Sequence, residues 1–186
     1  MRITAVVSIT VILGIVLVMP LIILSVYADN TNPGVYSIDS KPYGIPYADW
    51  TAKWEQWLIS MPTQVNAATD PTGKNCAQNQ KGPVWFLAGT SGGSAERTCT
   101  IPVGKAILFP IINSECSYAD TPSVKSESAL VTCAQQDPSR ATNLQASVDG
   151  VTLQQLARYR ITSPLFTVTY PPNNLFGAPV GPTQMV

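Results

Sequence analysis

The chain contains no histidine among its 186 residues, and only 12% of its residues are charged. Without histidine, Ser-His and Cys-His nucleophile systems cannot be built, and the commonest general base and metal-binding side chain is missing. Lys and Arg number 11, as do Asp and Glu, and no block of like charge occurs. Because nucleic-acid binding needs concentrated positive charge, we do not expect a nucleic-acid partner.

Motifs for cofactors and metals are also missing. The sequence has no G-x-x-x-x-G-K-[ST] phosphate loop, no D-x-D-x-D calcium loop and no C-x-x-C pair. Carboxylates, lysines and tyrosines are the remaining candidates for acid-base chemistry. The sequence therefore predicts no cofactor, no metal site and no identifiable catalytic residue.

The N-terminus carries a long apolar run, residues 3–28, without a single charge. Arg2 precedes it, and Val26-Tyr27-Ala28 offers the small or apolar positions that a signal peptidase reads. As a helix the run would extend roughly 39 Å, more than the ~30 Å hydrocarbon layer of a bilayer. Residues 1–28 are therefore predicted to be a signal peptide or a transmembrane anchor. Both alternatives place the remaining chain outside the cytoplasm, secreted or anchored to the cell membrane.

All four cysteines follow this run, at Cys76, Cys99, Cys116 and Cys133. In an oxidising compartment four cysteines favour two disulfides over a metal site. Three pairings are possible, and we favour Cys76 with Cys99 and Cys116 with Cys133 because each closes a local loop. Each loop should contribute about 3 kcal/mol by restricting the unfolded chain.

The remainder divides into an extended, turn-rich arm (29–46) and one domain (47–186), a length at which a single core suffices. One apolar stripe predicts an amphipathic helix that Asp49 caps and Pro62 ends. Its members are Tyr47, Trp50, Trp54, Trp57, Leu58 and Met61. A second, short helix is predicted over 122–135, because Thr121-Pro122 is typical of a helix start.

Five or six segments are typical of β-strands. Val84 to Ala88 is predicted to form a hairpin with 97–101, and 105–113 is apolar with Pro110 favouring an edge. Asp149-Gly150 is a favoured two-residue turn between alternating strands, and 166–170 is a further strand before a Pro/Gly/Asn-rich tail. Together with 16 prolines and 12 glycines, this pattern predicts a mainly β fold: an antiparallel β-sandwich with an N-terminal amphipathic helix and a second short helix.

Several segments resemble a family of exported archaeal and bacterial proteins without an established activity. The resemblance rests on WTAKWEQW (50–57), TGKNCAQNQ (72–80), GPVWFLAGT (82–90), CTIPVGKAILFPIINSEC (99–116) and VDGVTL (148–153). It covers roughly residues 43–184. It implies export but transfers no function or site. Members of that family continue beyond the equivalent of 184–186 with a strand-rich segment, so the resemblance implies a sandwich that is incomplete at its C-terminus, with an unpaired edge.

Two groups of residues are functional candidates. Trp50, Trp54 and Trp57 could form a platform for sugar rings, although a single apolar stripe more often packs in a core. Asp49 with Glu55, or Glu115 with Asp120, could form a glycosidase-like pair. Asp49 is more simply a helix cap, and Glu115 adjoins a predicted disulfide.

The sequence thus favours an exported cell-surface or secreted binding or structural protein without a catalytic site. Its expected partner is envelope carbohydrate or another surface protein. One alternative is a carboxylate-dependent hydrolase of extracellular polysaccharide, which needs a cleft with two carboxyls about 5 to 10 Å apart. The other is an accessory subunit of a membrane complex, anchored through an uncleaved 3–28.

Overall fold

The structure is a computed structural model that describes residues 32–186, without the side chain of Asp137. The predicted signal peptide or anchor lies outside the described residues, as does the start of the arm. Across 32–186 there is no helix with the length and apolar character needed to cross a membrane.

The predicted β-sandwich is wrong. Two helices, α1 (Tyr47–Ile59) and α2 (Glu127–Arg140), are accompanied by three separate two-stranded sheets rather than two packed layers. The strands are β1 (Val84–Phe86), β2 (Ala106–Leu108), β3 (Ser147–Val148), β4 (Val151–Thr152), β5 (Phe166–Tyr170) and β6 (Gly181–Met185). Strands of two to five residues cannot build a sandwich face, because the proline- and glycine-rich connections interrupt them.

The tryptophan helix is confirmed as α1. It begins after Pro46 rather than at an Asp49 cap, and Ser60 is its C-cap. The fully buried Asn66 then donates its amide to the carbonyl oxygens of Leu58 and Met61, at 2.7 and 3.2 Å. These bonds satisfy acceptors that the end of a helix leaves free.

The predicted hairpin between Val84–Ala88 and 97–101 is also wrong, because β1 pairs in parallel with β2. Residues 97–101 instead lie against the loop of residues 66–80. The Thr98 amide donates to the Thr72 carbonyl at 3.0 Å, and Cys99 is bonded to Cys76. A covalent link and backbone pairing to that loop leave the segment unable to flank β1.

The second half combines confirmed and missed elements. The β3–β4 hairpin turns at Asp149 and Gly150, both with positive φ, as predicted. The strand β5 is confirmed, whereas its antiparallel partner β6 lies in the stretch that was predicted to be a tail. The helix α2 begins at Glu127 rather than at residue 122, because Ser126 caps it by accepting from the Ala129 amide at 3.3 Å.

The apolar core lies on both sides of α1. Its tryptophans pack with Val84 and Phe86 of β1. Ile59, at the end of α1, packs with Val168 and Tyr170 of β5. A third cluster joins α2 to the Cys116–Cys133 disulfide, so both expected disulfide pairings are confirmed.

Candidate functional site

The three tryptophans of α1 are core residues. Trp50, Trp54 and Trp57 are 7%, 5% and 5% exposed. Each indole N–H donates to a backbone carbonyl: to Pro42 at 3.0 Å, to Leu87 at 2.9 Å and to Gln78 at 2.8 Å, respectively. Buried rings with satisfied N–H groups present no free face on which a sugar could stack.

The structure brings the predicted pair Glu115 and Asp120 together, but it separates Asp49 from Glu55. Asp49 is exposed and Glu55 is buried, so they occupy different faces of α1. Glu55 instead interacts with Glu115 and Asp120, which flank Cys116 in the chain. We call Glu55, Glu115 and Asp120 the carboxyl cluster.

Asp120 is the hydrogen-bonded member of this cluster. Its Oδ1 accepts from the Ser117 amide at 2.9 Å, and its Oδ2 accepts from the Tyr170 hydroxyl at 2.8 Å. The Ser117 and Tyr170 hydroxyls are themselves 3.3 Å apart. By contrast, Oε1 of Glu55 and Oε2 of Glu115 are buried without a hydrogen-bond partner. The cluster therefore contains one carboxyl with both oxygens hydrogen-bonded and two carboxyls that each have one buried oxygen without a partner.

This difference sets the charge of the cluster. Burial, reinforced by the charge of Asp120, raises the pKa of Glu55 to about 8. Burial also raises the pKa of Glu115 to about 9, helped by the charge of Asp120 and a hydrogen bond with it. Burial opposes ionisation of Asp120 as well, but its hydrogen bonds outweigh that cost and lower its pKa. At neutral pH the cluster thus holds one carboxylate and two neutral acids.

The cluster does not have the form of a hydrolase site. Glu115 and Asp120 share a hydrogen bond, whereas glycosidase carboxyls stand about 5 to 10 Å apart. Neither of the two best-formed cavities of the described surface is lined by a cluster residue. Within 32–186, no three Asp, Glu or Cys side chains are arranged to hold a metal ion. The chemistry that the cluster's geometry supports is the binding and release of protons.

A second group of residues lies at the surface, where four tyrosines meet. The hydroxyls of Tyr47 and Tyr159 both donate to the Tyr36 carbonyl, at 2.9 and 3.3 Å. Their rings are 6.1 Å apart and nearly perpendicular. A hydrogen bond with the Tyr36 side chain raises the pKa of Tyr43. We call Tyr36, Tyr43, Tyr47 and Tyr159 the tyrosine surface.

Two members of this surface are open to solvent. Tyr36 is 47% exposed and Tyr43 is 48% exposed. Tyr47 is more enclosed, and burial raises its pKa to about 12. Two exposed rings, Tyr36 and Tyr43, beside two tyrosines that are bonded to the Tyr36 carbonyl form an apolar surface with polar edges.

An open cavity of about 260 Å³ adjoins Tyr47. Three polar or charged residues contribute to its lining: Asp39, Ser40 and Lys41. The remaining lining is apolar or aromatic: Ile38, Pro46, Tyr47, Ala48 and Ile161. The cavity is open and smaller than the roughly 300–1,000 Å³ of an enclosed small-ligand pocket, so it suits a ligand that lies mainly along the surface.

Tyr43 has a backbone conformation that is uncommon for a bulky residue. Its φ of 54° and ψ of 30° fall in the left-handed region. The surrounding turn holds it there, since the Gly44 amide donates to the Lys41 carbonyl at 2.8 Å and the Ile45 amide donates to the Pro42 carbonyl at 3.1 Å. The ring also meets Trp50 edge-on at 6.4 Å. Strain of this kind persists only when the surroundings fix the residue, and it is concentrated at functional sites.

The tyrosine surface was not predicted from the sequence, and neither was the position of Glu55 beside Glu115 and Asp120. The tyrosines of the arm have no helical or strand period, and only their density in a turn-rich segment marks them. The link between Glu55 and residues 115–120 joins segments 60 positions apart, so no local pattern could reveal it. Searches against protein-family models, curated proteins and solved structures found no match to this chain.

Proposed function

We propose that this protein is an extracytoplasmic, non-enzymatic binding domain whose tyrosine surface binds envelope carbohydrate. The observation that carries the proposal is the convergence of four tyrosines, two of them nearly half exposed, beside a cavity of about 260 Å³. The tyrosine surface, rather than Trp50, Trp54 and Trp57, is then the aromatic surface that stacks on sugar rings.

The chemistry of the surface suits a sugar chain. Pyranose rings present an apolar C–H face and a rim of hydroxyls, so they pair with aromatic rings that have polar groups nearby. Tyr36 and Tyr43 supply the rings, whereas Asp39, Ser40 and Lys41 supply donors and acceptors in the groove. The fixed turn around Tyr43 reduces the entropy lost on binding, because the ring is already placed.

The location of the domain supports the same partner. Two disulfides are typical of proteins outside the cytoplasm, and the apolar run 3–28 is typical of exported chains. Envelope polysaccharide is the abundant carbohydrate of that compartment. The hydrolase alternative has no support from the carboxyl cluster, which adjoins neither of the two cavities described above.

The proposal is tested by calorimetric titration of the full chain with chitohexaose and with cellohexaose. The chain is kept in a polyoxyethylene detergent, because such a detergent carries no sugar headgroup. We expect saturable binding of at least one oligosaccharide. Truncating Tyr43 or Tyr36 to alanine should weaken it about tenfold, the equivalent of about 1.4 kcal/mol of lost contact.

Phe176→Ala is the matched control, since Phe176 is also a 41% exposed aromatic residue but packs beside Tyr170. This variant should bind as the unchanged protein does. Absence of binding to both sugars, or equal affinity in the tyrosine variants, would contradict the proposal.

A further inference from the structure

The carboxyl cluster lies where three elements of the fold meet, beside the hydrogen bond that Gln56 of α1 donates to the Thr167 carbonyl of β5 at 2.9 Å. Glu55 comes from the middle of α1, Glu115 and Asp120 come from the loop around Cys116, and Tyr170 ends β5. This loop is itself tied to β6, since the Cys116 and Val186 backbones exchange hydrogen bonds at 3.3 and 3.1 Å. Contact between Glu55 and the loop therefore connects α1 to the whole second half of the domain.

No positive charge stabilises this contact. The groups that act on the pKa of Glu55 and Glu115 are Asp120 and the two glutamates themselves, and no lysine or arginine contributes. From β5 the facing group is the Tyr170 hydroxyl, whose pKa burial raises further above its ordinary value. The contact is therefore made only by acidic and phenolic groups, which repel one another once more than one of them is ionised.

Glu55 cannot relieve that repulsion by turning to solvent. Its side chain is 6% exposed and its Oε1 has no hydrogen-bond partner. Glu115 is half-buried, and its Oε2 is likewise buried without a hydrogen-bond partner. A second negative charge would thus be buried without donors or a counter-ion, a situation that proteins avoid by protonation or by opening.

We propose that the carboxyl cluster is a proton-dependent latch: with Glu55 and Glu115 protonated it closes α1 onto the 115–120 loop and β5, and their ionisation in alkaline surroundings opens this contact. The protons pass to solvent base, and the two new carboxylates separate as water enters. The region around the Cys76–Cys99 disulfide contains none of the three cluster residues, so we expect it to stay closed when the latch opens.

The direction follows from proton linkage. An acid whose pKa is raised on folding binds its proton more tightly in the folded state, so its contribution is largest below the unfolded pKa near 4.5 and declines as pH rises through the folded value. Between about pH 5 and pH 9 the closed form should therefore weaken progressively. Each proton released raises the opening equilibrium by up to about tenfold per pH unit.

The test is amide hydrogen exchange of the oxidised full chain in non-ionic detergent, from pH 6 to pH 10, corrected for the intrinsic exchange rate. We expect protection in α1 and residues 115–120 to fall at least about tenfold over this range, while β1 and the loop of residues 66–80 keep theirs. Glu55→Gln and Glu115→Gln remove the ionisation at similar volume, so each should lose most of this pH dependence. Glu96→Gln and Glu127→Gln, at exposed glutamates, are the controls and should retain it.

A second measurement needs no variant, so it tests the latch even where a cluster variant does not fold. The chain has four glutamates, so carbon-13 carboxyl labelling of the unchanged protein gives four titrating signals. Two signals that titrate above pH 7 support the latch. Four signals near the ordinary value, a uniform loss of protection along the chain, or an unchanged slope in both glutamine variants would overturn it. None of these results depends on whether the tyrosine surface binds sugar.

Discussion

Asp70 and Glu55 are carboxyl residues of almost equal exposure, 3% and 6%, but one lies in a loop and the other in the helix α1. Hydrogen bonding, led by the Asn75 amide, lowers the pKa of Asp70 to about 2. Burial raises that of Glu55 to about 8. Equal exposure of the two residues therefore does not fix their charge. Hydrogen bonds to the Asp70 carboxylate favour its ionised form, whereas burial of the Glu55 carboxyl disfavours ionisation.

The two backbones explain the difference in donors. Asp70 lies in a turn-rich loop whose amides have no helix or sheet partner, and it accepts from Thr72 N at 2.9 Å, Thr72 Oγ1 at 2.7 Å and Asn75 N at 2.7 Å. Glu55 lies in the middle of α1, where the helix already uses the nearby amides. A loop can solvate a carboxylate with its own backbone, whereas a helix interior cannot.

Removing the Cys76–Cys99 disulfide should have the largest effect on the difference in pKa between Asp70 and Glu55. The bond holds residues 97–99 against the loop that surrounds Asp70. Replacing both cysteines with serine should lower the free energy of unfolding by about 3 kcal/mol, as expected for a loop of this length. It should also raise the pKa of Asp70 toward its ordinary value while leaving Glu55 unchanged.

Urea unfolding followed by tryptophan fluorescence measures the free energy of unfolding, and carboxyl titration measures the two pKa values. The pair Cys116→Ser with Cys133→Ser is the control for the other half, and should leave the pKa of Asp70 low. An Asp70 titration that does not respond to the first pair would show that the loop holds its donors without the disulfide.

A substitution at Gly73 should have a smaller and more local effect on the loop around Asp70. Its φ is +93°, and an added Cβ would lie 2.2 Å from the Thr98 carbonyl oxygen. Gly73→Ala should cost about 2 kcal/mol or more, because both the left-handed backbone and the backbone contact are unfavourable. Gly82→Ala is the matched control, with a φ of +73° and no atom within 4 Å.

Gly82→Ala shares only the backbone strain with Gly73→Ala, so the difference between the two variants measures the contact with Thr98. We expect Gly82→Ala to cost about 1 kcal/mol. Equal losses of stability in the two variants, measured by urea unfolding, would mean that the segment 97–99 moves away without cost. The approach of Thr98 to the Asp70 loop would then contribute nothing.

Local features of the fold could be predicted from the sequence, whereas pairings at long range could not. The helix α1 follows from the spacing of its tryptophans, and the β3–β4 hairpin follows from Asp149-Gly150. The parallel pairing of β1 with β2 could not be foreseen, because the chain between them also offered a nearer partner at 97–101. The strand β6 was missed because Gly181 and Pro182 are typical of loops, yet β5 supplies its pairing.

The sites follow the same rule. The disulfides could be predicted because each closes a local loop. The carboxyl cluster depends on α1 lying against residues 115–120, which only tertiary packing decides. The tyrosine surface joins residues 36–47 with Tyr159, more than 110 positions later.

The smallest expected effect is on acid stability, where Asp70 and Glu55 should act in opposite senses. Because the pKa of Asp70 is lowered on folding, its charge stabilises the fold above the unfolded value near 3.8, and this contribution is lost as pH falls through about 2. Asp70→Asn should therefore lower the melting temperature at pH 6, and the difference from the unchanged protein should shrink toward pH 2. Asp49→Asn, at an exposed carboxyl of α1, is the control and should show no such convergence. Thermal melts at half-unit pH steps decide the point. A difference for Asp70→Asn that stays constant from pH 6 to pH 2 would mean that the shape of the side chain matters in this loop rather than its charge, and the contrast with Glu55 would then lose its electrostatic basis.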